Sequence, residues 1–144
     1  MNEKDLMQNP FQTNAKFDMF KEESEFDRIL KNLLIPARSG VYFSRYEIRE
    51  IGKVFGVEVP VKERKEMLKD IFMYAKQMDK LKDLLDLLND IIDSRIEQYN
   101  ELAELYPRSK NIIEKWEKKA SRVKDMINTM KKEIDIYPDV PPQM

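Results

Sequence analysis

Apolar residues fall on a helical period along most of this chain. Between 22 and 34, Phe26, Ile29, Leu30, Leu33 and Leu34 recur at intervals of three and four, which predicts a first helix. Pro36 ends it, because the residue before a proline is driven out of the helical region. A second helix over 44–55 carries Ile48, Ile51, Val54 and Phe55 on one face. Its start reads Ser44-Arg-Tyr-Glu47, a capping box: the serine accepts from the Glu47 amide and the Glu47 carboxylate reaches back. Gly56 suits the left-handed residue that ends such a helix. An extended Val57-Glu-Val-Pro60 then leads into a third helix over 61–77, with Leu68, Ile71, Phe72 and Ala75 inward. No glycine or proline parts it from the next helix. Asp79 is the expected cap, with a kink as the alternative to a full break.

The two longest patterns follow. In a helix over 109–136, Ile113, Trp116, Ala120, Val123, Ile127, Met130 and Ile134 keep a seven-residue repeat. A helix over 79–105 answers with Leu81, Leu85, Leu88, Ile92, Arg95, Tyr99 and Leu102. Folding the chain at Tyr106-Pro-Arg-Ser109 sets Leu102 against Ile113, Tyr99 against Trp116, Ile92 against Val123 and Leu88 against Ile127. Arg95, the one polar seam residue, then meets Ala120, the one small one. Each arm would be roughly 40 Å long at the helical rise per residue. Leu84, Leu87 and Ile91 add a second apolar face to the first half of helix 79–105. The earlier helices are therefore expected on that half, leaving the Tyr106 end to project. Asp79, Asp83, Asp86, Asp90, Asp93, Glu97, Glu101 and Glu104 form an acidic stripe expected to face away from helix 109–136.

The expected fold is all-α: three shorter helices packed on a long antiparallel, coiled-coil-like helical hairpin (79–137), in a single helical domain over 22–137. Residues 1–21 read as a flexible, partly disordered N-terminal arm bearing Phe11, Phe17 and Phe20, and 138–144 as a short tail.

Composition removes whole classes of chemistry. With no cysteine and no histidine, disulfides, thiolate nucleophiles, His-ligated zinc and the Ser-His-Asp machinery are excluded. A di-iron helical bundle needs Glu-x-x-His pairs, so it is excluded too. Charged residues make up 37%, but the net charge is −1, so no global field favours nucleic acid or anionic lipid. The acidic start lacks the pattern of a signal peptide, and no apolar run approaches the roughly 20 residues that span a bilayer. The expectation is a cytoplasmic protein without membrane contact, without cofactor or metal, and without catalytic activity.

Three stretches could still carry function. In Leu34-Ile-Pro-Ala-Arg-Ser-Gly40, the residues Arg38, Ser39 and Gly40, with Arg45, Arg49 and the amides opening helix 44–55, could hold an anion. The spacing is not that of a nucleotide-binding loop, and the competing reading is a plain interhelix joint. Tyr99, Leu102, Tyr106 and Trp116 cluster near the projecting turn, where aromatic groups on a rigid support can anchor a partner. Helices 44–55 and 61–77, with Lys62, Arg64, Lys65 and Lys69, could form a DNA-binding helix-turn-helix, although Glu63 and Glu66 interrupt the basic face.

Residues about 43–88 carry a further resemblance. "FSRYEIREIGKVFGVEVP" followed by "KERKEMLKDIFMYAKQMDKLKDLL" resembles the effector-associated domains, death-fold-like helical adaptors of bacterial signalling and defence. The shared features are the capped helix ending in Gly56-Val57, the proline-containing connector and the long helix leading to Leu81-Lys-Asp-Leu84. The resemblance implies an interaction module rather than an enzyme. The expected function is therefore protein–protein interaction, as an adaptor or non-catalytic subunit of a larger assembly, with a homodimer through the projecting end as its simplest form. A DNA-binding regulator is the alternative, and nucleic acid the lesser partner.

Overall fold

The computed structural model describes residues 26–136, and every regular element among them is helical. Helix α1 runs over 26–34, α2 is the single turn Pro36–Ser39, and α3 spans Arg45–Val54. Helix α4 spans Arg64–Gln77 and α5 Leu81–Leu105; a 3₁₀ turn, Pro107–Ser109, leads into α6, Lys110–Ile136. The N-terminal arm, residues 22–25 of the first predicted helix, Tyr137 and the tail lie outside the described residues.

Local punctuation follows the sequence closely. Ile35 is extended, as the residue before proline must be, but Pro36 then opens α2, a turn not foreseen. Ser44 and Glu47 form the full capping box at the start of α3. At its end Gly56, at φ 80°, places the Gly56 and Val57 amides on the carbonyls of Lys53 and Gly52. The α4–α5 junction is a true break rather than a kink. Asp79 takes φ 57°, the Lys80 amide donates back to Ala75 and the Asp79 amide to Lys76. That is the same reversal made at Gly56, here with an acid in the left-handed position. Helix α4 begins later than expected: residues 61–62 bend, and Glu63 stands at the N-cap position without a side-chain capping bond.

The core is continuous from α1 to α6. Phe26, Leu30 and Leu33 meet Phe43, Ile48, Leu68, Ile71 and Phe72, and these pack on Leu84, Leu85, Leu88 and Ile92 of α5 and Val123 and Ile127 of α6. The Phe26 and Phe72 rings sit 5.1 Å apart, tilted by 50°. Helices α5 and α6 run antiparallel and are tied along one flank. Lys82 meets Asp135 at 3.1 Å, Asp93 meets Lys124 at 2.5 Å, and Asp86 pairs with Lys131. Between these pairs the Asn89 amide donates to Asn128 at 2.8 Å. Each of these residues lies one position after a predicted seam residue on its own helix. Asp86 and Asp93 therefore do not face away from α6, as the acidic stripe was expected to; they border it. The one-residue offset turns them only about 100° from the seam, within reach of a long lysine.

Candidate interaction surfaces

The segment 34–44 carries the first candidate site, and its backbone decides what the site can do. Most of its carbonyls lie outside regular helical ladders, and buried carbonyls need donors. Four side chains from later helices supply them. Arg64 of α4 donates to the carbonyls of Leu34 at 3.2 Å and Phe43 at 3.0 Å, and its guanidinium lies 4.7 Å from the centre of the Tyr42 ring. Arg95 of α5 donates to the carbonyl of Tyr42 at 3.0 Å and pairs with the Glu47 carboxylate. Tyr99 donates its hydroxyl to the carbonyl of Gly40. Arg122 of α6 donates to the carbonyl of Arg38 at 3.1 Å and to Asn32 Oδ1 at 3.0 Å. Burial pushes the Tyr99 phenol above its ordinary pKa, and the charge of Arg95 acts against that shift.

Of the five residues predicted for an anion, Ser39, Gly40 and Arg45 are engaged within the chain. Ser39 is buried, and its hydroxyl both accepts from the Val41 amide and donates to the Val41 carbonyl. Gly40 is pressed on the backbone of Trp116, where a Cβ would meet the Trp116 carbonyl oxygen. The capping box meets the Ser44 and Glu47 amides, and Arg45 donates to the Lys62 carbonyl at 2.6 Å. Ser39 and Gly40 take part in the joint between helices. Arg64, Arg95 and Arg122 were missed as its clamps, because a guanidinium seeking a distant carbonyl has no sequence period.

The projecting end divides. Tyr99 and Trp116 are half-buried, one bonded to Gly40 and the other flanked by it and by Lys119, whose ammonium is 4.7 Å from the Trp116 ring centre. The expectation that no earlier helix reaches them is corrected: the α2 turn does. Leu102 and Tyr106 remain exposed at 39% and 59%, and Leu105 and Ile112 join them at 70% and 61%. The last two fall off the seam, and an apolar residue off the seam beside a turn was the available signal. Arg95 is likewise turned toward α3 and Tyr42, rather than held over Ala120.

The basic positions proposed for DNA are engaged within the chain. Arg64 holds the joint, Lys65 meets Asp27 at 2.5 Å, and Lys62 meets Asp70 at 2.8 Å. The bond from Lys65, with a further one from Lys31, holds Asp27 below the ordinary carboxylate pKa, against a desolvation that opposes it. The apolar side of α4, from Met67 to Ala75, is buried in the core.

One surface lies where no motif pointed. Between α3 and α5 an open groove of about 350 Å³ is floored by Phe43, Ile51, Val54, Leu87 and Ile91, with Glu47, Glu50, Ser94 and Arg95 at its edges. Elsewhere, among the described residues no helix is long and apolar enough to cross a membrane. No protein-family model matches the chain, and no curated protein or solved structure matches it.

Proposed function

We propose that this chain is a non-catalytic protein–protein interaction module, an adaptor or subunit of a larger assembly. In this reading α5 and α6 form a coiled-coil-like hairpin, the shorter helices anchor its base, and the turn is presented to a partner. The observation that carries it is the set of exposed apolar side chains at the turn, Leu102, Leu105, Tyr106 and Ile112, on two long helices whose other end is buried in the core. Apolar groups clustered on a rigid support are what an interface uses, because little conformational entropy is lost on docking. The resemblance of residues 43–88 to effector-associated domains belongs to the same proposal and agrees with an adaptor role.

The test pairs sedimentation with affinity purification of the intact chain from its own host. Leu105→Ser with Tyr106→Ser should abolish self-association, or remove the co-purifying protein, while the helical signal is kept. An unchanged oligomeric state and an unchanged set of co-purifying proteins would remove the turn as the interface.

A further inference from the structure

The groove between α3 and α5 has a chemistry distinct from the turn. Its floor is apolar and includes Val54, which is 67% exposed. Its α5 lining is Leu87, Ile91, Ser94 and Arg95, and three acids stand on the same helix just beyond it. Asp83 and Asp90 lie one helical turn either side of Leu87, and Glu97 lies one turn beyond Ser94, so all three border the opening. They are exposed (Asp83, Asp90, Glu97), and none has an ion-pair partner among the described residues. The α3 wall adds Glu47 and Glu50. The cations nearby are already committed: Arg95 to Glu47 and Lys53 to Glu50 at 3.1 Å.

We infer that this groove is the docking site for a basic amphipathic helix of a partner protein. Leu87 to Arg95 covers about two turns of α5, roughly 12 Å, which matches the reach of apolar anchors at i, i+3, i+4 and i+7 on one helix face. Lysines or arginines flanking those anchors would meet Asp83, Asp90 and Glu97 on the α5 side. Opposite charge at the rim steers encounter and sets orientation, while the apolar floor holds the helix.

Charge also argues against occupants from this chain. Residues 1–25 carry Glu3, Asp5, Asp18, Glu22, Glu23 and Glu25 against three lysines, and would bring like charge to the groove. The segment after Ile136 holds three prolines in eight residues, which no helix interior tolerates. The exposed turn of a second copy sets Glu101 and Glu104 against Arg108 and Lys110, so it brings no net basic charge to the acids.

Fluorescence anisotropy on the full chain tests the inference with a labelled helical peptide of about four turns, leucines at the anchor positions and lysines elsewhere. A scrambled peptide of the same composition and a lysine-to-glutamate version serve as controls. The leucine–lysine peptide should bind at least about tenfold more tightly than either control. Ser94→Trp, which places a large ring at the exposed edge of the groove, should weaken that binding by about tenfold or more with the helical signal unchanged. Equal binding of the scrambled peptide would reduce the effect to diffuse charge attraction and overturn the inference. So would preference for the acidic peptide, or indifference to Ser94→Trp. Tighter binding after deletion of residues 1–25 would name the arm as occupant instead, and a dimer dissolved by Ser94→Trp would name a second copy. The double variant Leu105→Ser, Tyr106→Ser should leave peptide binding intact, so failure here and failure of the turn as an interface are read separately.

Discussion

The two ends of the α5–α6 pair share one alternation of apolar and charged positions, yet they have opposite fates. At the base, Leu84, Leu85, Leu88 and Ile92 face Val123 and Ile127 with no solvent exposure, because α1, α3 and α4 close over them. At the turn, Leu105, Tyr106 and Ile112 stay in water. Between them lies a collar, the α2 turn and Gly40, seated on Trp116 and bonded by Tyr99 and Arg122. A seven-residue repeat specifies that two helices meet. It says nothing about how far along them a third layer extends, and that layer separates core from surface.

The largest effect should come from the base. Leu88→Ala leaves a cavity where every neighbour is fixed, and should cost about 2–5 kcal/mol in chemical denaturation. A loss below 1 kcal/mol would mean that the base is no better packed than the turn.

The collar should come next. Gly40 has φ 74° and a neighbour in the way, whereas Gly56 has φ 80° and open space where a Cβ would project. Gly40→Ala should cost about 2–4 kcal/mol, strain and displacement together, and Gly56→Ala only about 1–2, from strain alone. Equal costs in denaturant melts would show that α2 is not held tightly on α6.

Tyr99→Phe removes the hydroxyl donated to Gly40 and should cost about 1 kcal/mol. It should also change the alkaline limb. The folded pKa of Tyr99 is raised above its ordinary 10.0, chiefly by burial. Its contribution is therefore complete below that value and lost as pH rises through the folded pKa. Thermal melts of the wild type should fall more steeply above about pH 10 than those of Tyr99→Phe, and parallel curves would contradict the docking of Tyr99 under the collar.

The smallest effect belongs to the turn. Leu105→Ser should shift stability by less than about 0.5 kcal/mol, since the side chain is already in water. A loss as large as that of Leu88→Ala would place Leu105 in the core and erase the contrast between the ends.

Local features were legible where the physics is local. The capping box of Ser44 and Glu47, the left-handed Gly56 and the extended Ile35 each depend on a few neighbouring residues, so the sequence contains them in full. The apolar period of α5 and α6 was equally plain, because residues three and four apart share a face. Other features depend on pairs of distant positions. Arg64, Arg95 and Arg122 reach carbonyls between 21 and 84 positions away, and nothing in their own neighbourhoods announces it. The stripe carrying Asp86 and Asp93 turned toward α6 rather than to open water, because lysines at Lys131 and Lys124 were placed to meet it.

By itself, then, the sequence determined an all-α chain, the capped start of α3 and its glycine end, and the loss of cysteine and histidine chemistry. Each rests on covalent geometry, on hydrogen bonds within one turn, or on which functional groups exist at all. Only the tertiary structure decided which apolar residues became core, which became surface, and which arginines became clamps. Those outcomes follow from how far α2 and α3 reach across the long helices. Gly40 stops against Trp116, while α3 stands off from Leu87 and Ile91 and leaves the groove between them.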